Sequence, residues 1–271
     1  MAKISVCAEC FFTNLPFEER VGKIAEAGYE YIEFWHPEGT FDGSSIDFSQ
    51  PKDFAKLNKA AEDAGVIYND FAFGAWDGSI GGNATNSEDH EKWLEQDRKM
   101  LAFANKINCP KGIILSGMAQ DNLTARQMNE NLLRAYAKAA GMAEQAGLTL
   151  VIEPLNSLVD HSGYYLDKTA EAVKIIREIN SPNLKLLFDV YHMQIMQGNL
   201  LDFIEKNIDV IGHFHSAGVP GRAELFDTEI NYPVIIRKID ELKYDGCFGL
   251  EYFPKLDDEE SLKRTLDYLG L

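Results

Sequence analysis

Four stretches decide the fold: Leu148-Thr-Leu-Val-Ile-Glu-Pro154, Leu184-Lys-Leu-Leu-Phe-Asp-Val190, Val210-Ile-Gly-His-Phe-His215 and Cys247-Phe-Gly-Leu-Glu-Tyr252. Each is an apolar run of strand length that stops on a charged or ionisable residue. Each is followed by a segment with helical periodicity: Lys168–Ile179, a helix near Leu200–Asn207, Tyr232–Leu242 and Asp258–Leu269. The N-terminal half alternates in the same way. Strands are expected at Ile4–Phe12, Tyr29–Trp35, Val66–Phe73 and Gly112–Ser116. Between them lie helical patterns at Pro16–Ala27, closed by Gly28, and Pro51–Ala64, closed by Gly65. Two longer ones follow, from a Ser87 cap to about Ile107 and over Thr124–Ala146, closed by Gly147. Eight strand–helix units of about 34 residues make a single (β/α)8 TIM barrel, an α/β domain spanning residues 1–271, the economical reading. A doubly wound sheet would bring a glycine-rich phosphate turn after the first strand. Phe11-Phe12-Thr13-Asn14 stands there instead, and no G-x-G-x-x-G, Walker A or G-x-S-x-G pattern occurs.

Composition narrows the function classes. The 26 Lys and Arg against 43 Asp and Glu give a net charge of −17, which argues against a nucleic-acid partner. No run approaches the roughly 18 apolar residues of a membrane span. The opening Met1-Ala2-Lys3-Ile4 has no signal-peptide pattern, so a cytoplasmic enzyme is expected, with assembly into a homo-oligomer left open. The cysteines, Cys7, Cys10, Cys109 and Cys247, are too few for a disulfide framework. Cys7-x-x-Cys10 lacks the second pair a zinc site needs, so both read as reduced strand cysteines.

In such a barrel the reactive groups sit where strands end. Glu153, Asp189, His215 and Glu251 terminate four successive strands, and the gaps between them are 36, 26 and 36 residues, each about one strand–helix repeat. Taken singly, a carboxylate at a strand end is most simply a helix N-cap or an ion-pair partner. Four such residues brought to one confined mouth are another matter. Three carboxylates cannot be buried together without a counter-charge. Oxygen-rich ligation with one nitrogen suits one divalent ion, Mn²⁺ or Mg²⁺, with Co²⁺ also compatible, better than zinc. His192 follows Asp189 by three residues and Asn156 follows Glu153 by three. Both are candidate substrate contacts at the mouth, as is Arg222 in Gly218-Val-Pro-Gly-Arg-Ala-Glu224, whose planar fork suits a carboxylate or ketose hydroxyls. His213 shares the parity of His215 one layer deeper and belongs behind the site or in the core. Trp35, Phe71, Phe73 and Trp76 stand at strand ends, where aromatic residues either pack the core or wall the mouth.

Several of these motifs carry a resemblance. Glu153-Pro-Leu-Asn156, Asp189-Val-Tyr-His-Met-Gln-Ile-Met-Gln-Gly-Asn-Leu200, Pro220-Gly-Arg-Ala-Glu224, Glu229-Ile-Asn-Tyr-Pro233 and Gly249-Leu-Glu-Tyr-Phe-Pro254 resemble the hydroxypyruvate isomerase family. That family lies among the xylose isomerase-like barrels, with the ketose 3-epimerases. The resemblance implies one divalent metal on Glu153, Asp189, His215 and Glu251, with Glu153 and Glu251 as the acid/base pair and His192 and Arg222 on the substrate. His215 departs from the Gln that hydroxypyruvate isomerases tend to carry and is similar to the epimerases, and Gly74–Asn86 departs from the isomerase pattern as well. The implied chemistry is proton transfer through an enediolate on a small keto-acid or ketose substrate, and without a Lys/Arg cluster beyond Arg222 at the strand ends an unphosphorylated one is expected. Return of the proton to the neighbouring carbon isomerises; return to the opposite face of the same carbon epimerises. A metal-dependent DNA-repair endonuclease on a similar barrel would call for a richer histidine set and a basic face. A non-catalytic scaffold would be expected to lack a ligand, and none is missing here.

Overall fold

The computed structural model describes residues 3–271. Eight parallel strands form a nearly closed barrel: β1 Lys3–Cys7, β2 Tyr31–Phe34, β3 Ile67–Phe71, β4 Lys111–Ile114, β5 Thr149–Ile152, β6 Leu184–Asp189, β7 Ile211–Ser216 and β8 Cys247–Leu250. Hydrogen-bonded neighbours run β3-β2-β1-β8-β7-β6-β5-β4. The remaining seam, between β3 and β4, is held by a bridge from Ala72 to Ile113 and by the Phe73 amide donating to the Ile113 carbonyl at 2.9 Å. Gly112 makes that seam possible. A Cβ there would lie 2.8 Å from Phe73 Cδ1, so only a residue without a side chain lets the phenyl ring cross.

Helices α1 Phe17–Glu26, α2 Phe54–Ala64, α3 His90–Lys106, α4 Ala125–Ala146, α5 Thr169–Ile179, α6 Val190–Met196, α7 Leu200–Asn207, α8 Tyr232–Glu241 and α9 Asp258–Leu269 connect and cover the strands. The expected Thr124 start of α4 is a full capping box with Gln127, an arrangement worth about 1 kcal/mol. The barrel interior is divided. Ile113, Val151 and Leu187 form a small apolar plug, whereas Ser5, Glu33, Asp70 and His213 fill the other side with buried polar groups. The main apolar core lies between strands and helices.

Two local expectations need correction, and two further features were not anticipated. The first strand ends at Cys7, and Cys10 lies in the turn beyond it, its amide donating to the Cys7 carbonyl at 3.0 Å. Both cysteines are buried and free, as reduced thiols should be. The cap before α3 is Asn86, which accepts from the Glu88 amide, and a short 3₁₀ turn at Ser87–Asp89 precedes the helix. Helix α6 starts directly from β6, where the sequence reading has only a strand end and a loop. The loop after β2 carries a two-stranded hairpin, Thr40–Phe41 against Ile46–Asp47. It is held down by buried Glu9, which pairs with Lys52 at 2.5 Å and accepts from the Phe41 amide at 2.9 Å. Among the described residues no helix is long and apolar enough to cross a membrane.

Candidate active site and metal centre

Side chains alternate along a strand, so residues two apart share a face. Val151 and Leu187 lie in the interior plug and His213 lies deep in the barrel. Glu153, Asp189 and His215, each two residues on, therefore sit one layer nearer the C-terminal rim. Register places Asp189 beside His215 on β6 and β7, and Gly249 beside His215 on β7 and β8. Glu153 and Glu251 follow immediately after β5 and β8. The four side chains are all buried, and one ligand atom from each lies within 4.8 Å of the others. His215 Nδ1 is 3.3 Å from Glu153 Oε1 and 3.5 Å from Glu251 Oε2. Three carboxylates and one imidazole nitrogen at this spacing could hold a hard or borderline divalent cation. Asp189 also does the modest work expected of a strand-end carboxylate: its Oδ1 accepts from the His192 amide at 3.0 Å and caps α6.

The electrostatics of the cluster are uneven. Burial, with Glu251 nearby, pushes Glu153 up against the pull of His215. Burial acts on Glu251 as well, but the Arg222 guanidinium and His215 outweigh it and hold Glu251 well below the usual carboxylate range. Asp189 is pushed up to about 7, chiefly by burial. His215 is driven well above its usual value, because Glu33 and Glu251 overcome the cost of burying its charge. A proton on His215 thus supplies part of the neutralisation that a cation would supply when bound.

Behind His215 lies a second buried group that the sequence reading did not single out. Glu33 Oε1 is 3.2 Å from His215 Nε2, while Glu33 Oε2 is 2.9 Å from His213 Nε2 and accepts from Ser5 Oγ at 2.8 Å. Asp70 reaches the same His213 nitrogen at 3.2 Å. His213 therefore stands behind the site, as its parity suggests. Burial would raise Glu33, but the imidazoles of His215 and His213 win and hold it at about 2. With Glu33 on Nε2, the His215 ring is turned so that Nδ1 faces Glu153 and Glu251. Gly249 leaves room for this contact: a Cβ would meet Glu33 Oε1 and lie 2.8 Å from His215 Cδ2. Carboxylates that orient a ligating histidine typically contribute 10–100-fold to metal affinity. Glu33→Gln is expected to weaken Mn²⁺ binding by about that factor. Calorimetric titration checks it, and an unchanged affinity would contradict the role given to Glu33.

The substrate-side residues are placed unequally. Arg222 Nη2 pairs with Glu251 Oε2 at 2.7 Å, and its Nε–H is buried without a partner, so part of the fork remains available. Its backbone is left-handed, with φ at +52°, which turns the loop back toward β8; the Phe253 amide donates to the Arg222 carbonyl at 2.8 Å. His192 is fully buried, with Nε2 3.6 Å from Asp189 Oδ2. Burial and the Arg222 charge hold it well below its usual value, so it is neutral. Its Nδ1 takes hydrogen bonds from the Asn156 amide at 3.3 Å and from Asn156 Nδ2 at 2.7 Å, which leaves the proton on Nε2. Asn156 has nothing left for a substrate. Its Nδ2 also donates to Asp160 at 2.7 Å, and its Oδ1 accepts from the Val159 and Asp160 amides. It lies beside the cluster and is bonded to His192. Trp35 donates from Nε1 to Glu251 Oε1 at 2.7 Å, and Trp76 lies edge-on to His161. Phe71 and Phe73 pack in the core, Phe71 stacked on Phe34 at 4.9 Å.

A family profile described as Xylose isomerase-like TIM barrel matches residues 21–270. The chain belongs to that family. The 2-oxo-tetronate isomerase of Cupriavidus necator is 28% identical over 270 residues, covering 100% of each chain. The hydroxypyruvate isomerase of Escherichia coli K12 is 28% identical over 263 residues, covering 97% of this chain and 98% of its own. A crystal structure described as an AP endonuclease, family 2, from Brucella melitensis matches with a TM-score of 0.88 at 27% identity over 99% of each chain. In this xylose isomerase-like barrel, the groups missed by sequence reading are Glu33, Asp70 and His161. Glu33 did leave a signal, as a lone carboxylate inside the apolar strand Tyr31-Ile-Glu-Phe34.

Proposed function

We propose that the protein is a divalent-metal-dependent isomerase acting on a small 2-keto acid with a hydroxyl next to the carbonyl, as in hydroxypyruvate. The observation that carries this reading is the convergence of Glu153, Asp189, His215 and Glu251, with Arg222 beside Glu251. The isomerases named above, aligned along the whole chain, support it. The cation, when bound, would polarise the substrate carbonyl and offset the charge that develops on the two neighbouring oxygens. The chain's own groups do the rest. Glu153 and Glu251 enter from β5 and β8 with two strands between them, so they bracket the substrate. One takes the proton from the carbon next to the carbonyl, and the other manages the second transfer. Arg222 receives the substrate carboxylate through its remaining N–H groups. His192 donates from Nε2, and the Trp35 and Phe253 rings, 6.3 Å apart, pack beside Glu251 and Arg222.

The same groups would serve a ketose 3-epimerase on an unphosphorylated sugar, and His215 as the fourth donor is the feature on that side. Phosphodiester cleavage is the weaker reading, because a net charge of −17 opposes a polyanionic partner.

Arg222→Gln separates the first two. Losing a hydrogen bond to a charged group costs roughly 1.5–3 kcal/mol, or about 10–150-fold. With Mn²⁺ present, kcat/KM for hydroxypyruvate is expected to fall by that factor and kcat/KM for fructose or tagatose by less. The contrast between substrates is the readout, since Arg222 also steadies Glu251 in both reactions. A wild-type enzyme active on the neutral ketoses alone would overturn the keto-acid reading in favour of the epimerase.

A further inference from the structure

The barrel has a second mouth. At its N-terminal end Lys3, Tyr31, Ile67, Lys111, Ile211 and Cys247, which open β1, β2, β3, β4, β7 and β8, line a cavity of about 560 Å³. The cavity is no extension of the candidate metal centre. Asn69, two residues into β3 beyond Ile67, is buried on its floor. Asn69 Nδ2 lies 3.4 Å from His213 Nδ1, and His213 Nε2 meets Glu33 at 2.9 Å. That packed polar layer stands between the cavity and His215.

The charges at this mouth run against the charge of the chain. Lys3, Lys111 and Lys243 line the cavity, and among the described residues none of the three pairs with a carboxylate. Lys111 Nζ donates to the neutral Asn69 Oδ1 at 2.8 Å, and Lys3 Nζ lies 5.5 Å from the centre of the Tyr31 ring. Lys243 stands in the turn between α8 and β8, with its backbone left-handed at φ +59°. Burial pushes the Cys247 thiol up to about 12, and Lys111 and Lys3 both pull against it, so their charges reach the same wall. Of the two lining carboxylates, Asp209 is already held by Arg177 through hydrogen bonds at 2.8 and 3.0 Å, which leaves Asp245 on the rim. Three ammonium groups therefore share one mouth with a single uncommitted carboxylate, in a chain whose net charge is −17.

An ammonium donates hydrogen bonds and accepts none, so an occupant must bring acceptor oxygens and negative charge. Converging lysines act as point charges that suit a phosphate, and a phosphate monoester carries about −1.5 to −2 at neutral pH, which matches the excess here. Much of the remaining wall is apolar or aromatic: Ile67 is 51% exposed, and Tyr31 and Tyr244 lie beside it in the lining. The volume falls within the roughly 300–1,000 Å³ of small-molecule sites, more than a lone inorganic anion needs.

We propose that the N-terminal mouth of the barrel is a second ligand site, and that it takes a small organic phosphate. The phosphate meets Lys3, Lys111 and Lys243, and the organic body lies against Ile67, Tyr31 and Tyr244. The site is separate from the candidate metal centre and does not depend on the isomerase reading.

Calorimetry on the Mg²⁺-loaded protein tests this with phenyl phosphate, inorganic phosphate, benzoate and benzylamine. Phenyl phosphate should bind saturably and about ten-fold more tightly than inorganic phosphate, because its ring also buries apolar surface. Benzoate should bind more weakly than phenyl phosphate, and benzylamine not at all. Lys111→Met and Lys243→Met keep an aliphatic stem and remove the charge. Once melting curves show them folded, each should weaken phenyl phosphate about ten-fold. Should Lys111→Met fail to fold, Lys243→Met, on the exposed rim, decides. Arg222→Gln, at the opposite mouth, should leave this affinity unchanged. Absence of saturable binding, equal affinity for the two phosphates or for benzoate, or an unchanged affinity in the folded lysine variants would overturn the proposal. A loss in Arg222→Gln alone would do the same, since it would place the anion at the metal centre.

Discussion

Glu153→Gln and Glu251→Gln are each expected to lower kcat by about 10²–10⁴-fold, the usual contribution of a positioned acid or base. Glutamine keeps the shape of the side chain and one oxygen for a cation, but it cannot carry a proton at these pH values. The two variants should differ in side effects. Glu153 meets His215 and is packed in a fully buried wall, so its replacement relieves a carboxylate that burial already disfavours. Glu251 is held by Trp35 and Arg222, so its replacement leaves a guanidinium without its partner at 2.7 Å. Glu251→Gln should therefore be the less stable of the two, since stripping a partner from a buried charge is destabilising. Turnover at saturating Mn²⁺ and solvent-deuterium exchange into substrate by NMR, alongside circular dichroism, check both. A folded, metal-loaded variant that keeps more than about a tenth of the wild-type rate would contradict the acid/base role.

Removing the divalent cation is expected to abolish turnover nearly completely. Lewis-acid stabilisation of developing charge contributes several kcal/mol, which corresponds to a loss on the order of 10³-fold. Stability should report the same event. A ligand that binds only the folded chain stabilises it by mass action, about 2.7 kcal/mol at a hundred times Kd. Mn²⁺ added to chelator-treated protein should raise the melting temperature and restore activity over the same concentration range. Because His215 must give up its proton to a cation, binding should also release protons and weaken as pH falls. Full activity after rigorous chelation would remove the basis for a metal-dependent reaction.

The barrel was legible because its repeat is local. Each apolar run and each following helix announces itself within a few dozen residues, and the strand ends Glu153, Asp189, His215 and Glu251 stand out as polar residues closing apolar runs. Their convergence followed from spacing alone. What escaped was set by contacts between distant segments or by irregular backbone. Glu33 finds His213 across 180 residues, and no periodicity links them. His161 sits in a loop whose path comes from the hydrogen bonds of Asn156 and Tyr164. For Asn156, only the surrounding geometry shows that its amide is saturated by His192, Asp160 and the Val159 and Asp160 amides. Helix α6 was missed because it is short and begins on the same Asp189 that ends β6.

Gly249 gives the centre a constraint of a different kind. It contributes no functional group, yet the contact between Glu33 and His215 occupies the space where its side chain would be. One methyl group there would push on Glu33, which meets His215, and leave all four candidate ligands intact in the sequence. A diverging chain could thus keep its whole metal-binding signature and still lose its chemistry. Inheritance of this centre depends on preserving an empty volume as much as on preserving the residues around it.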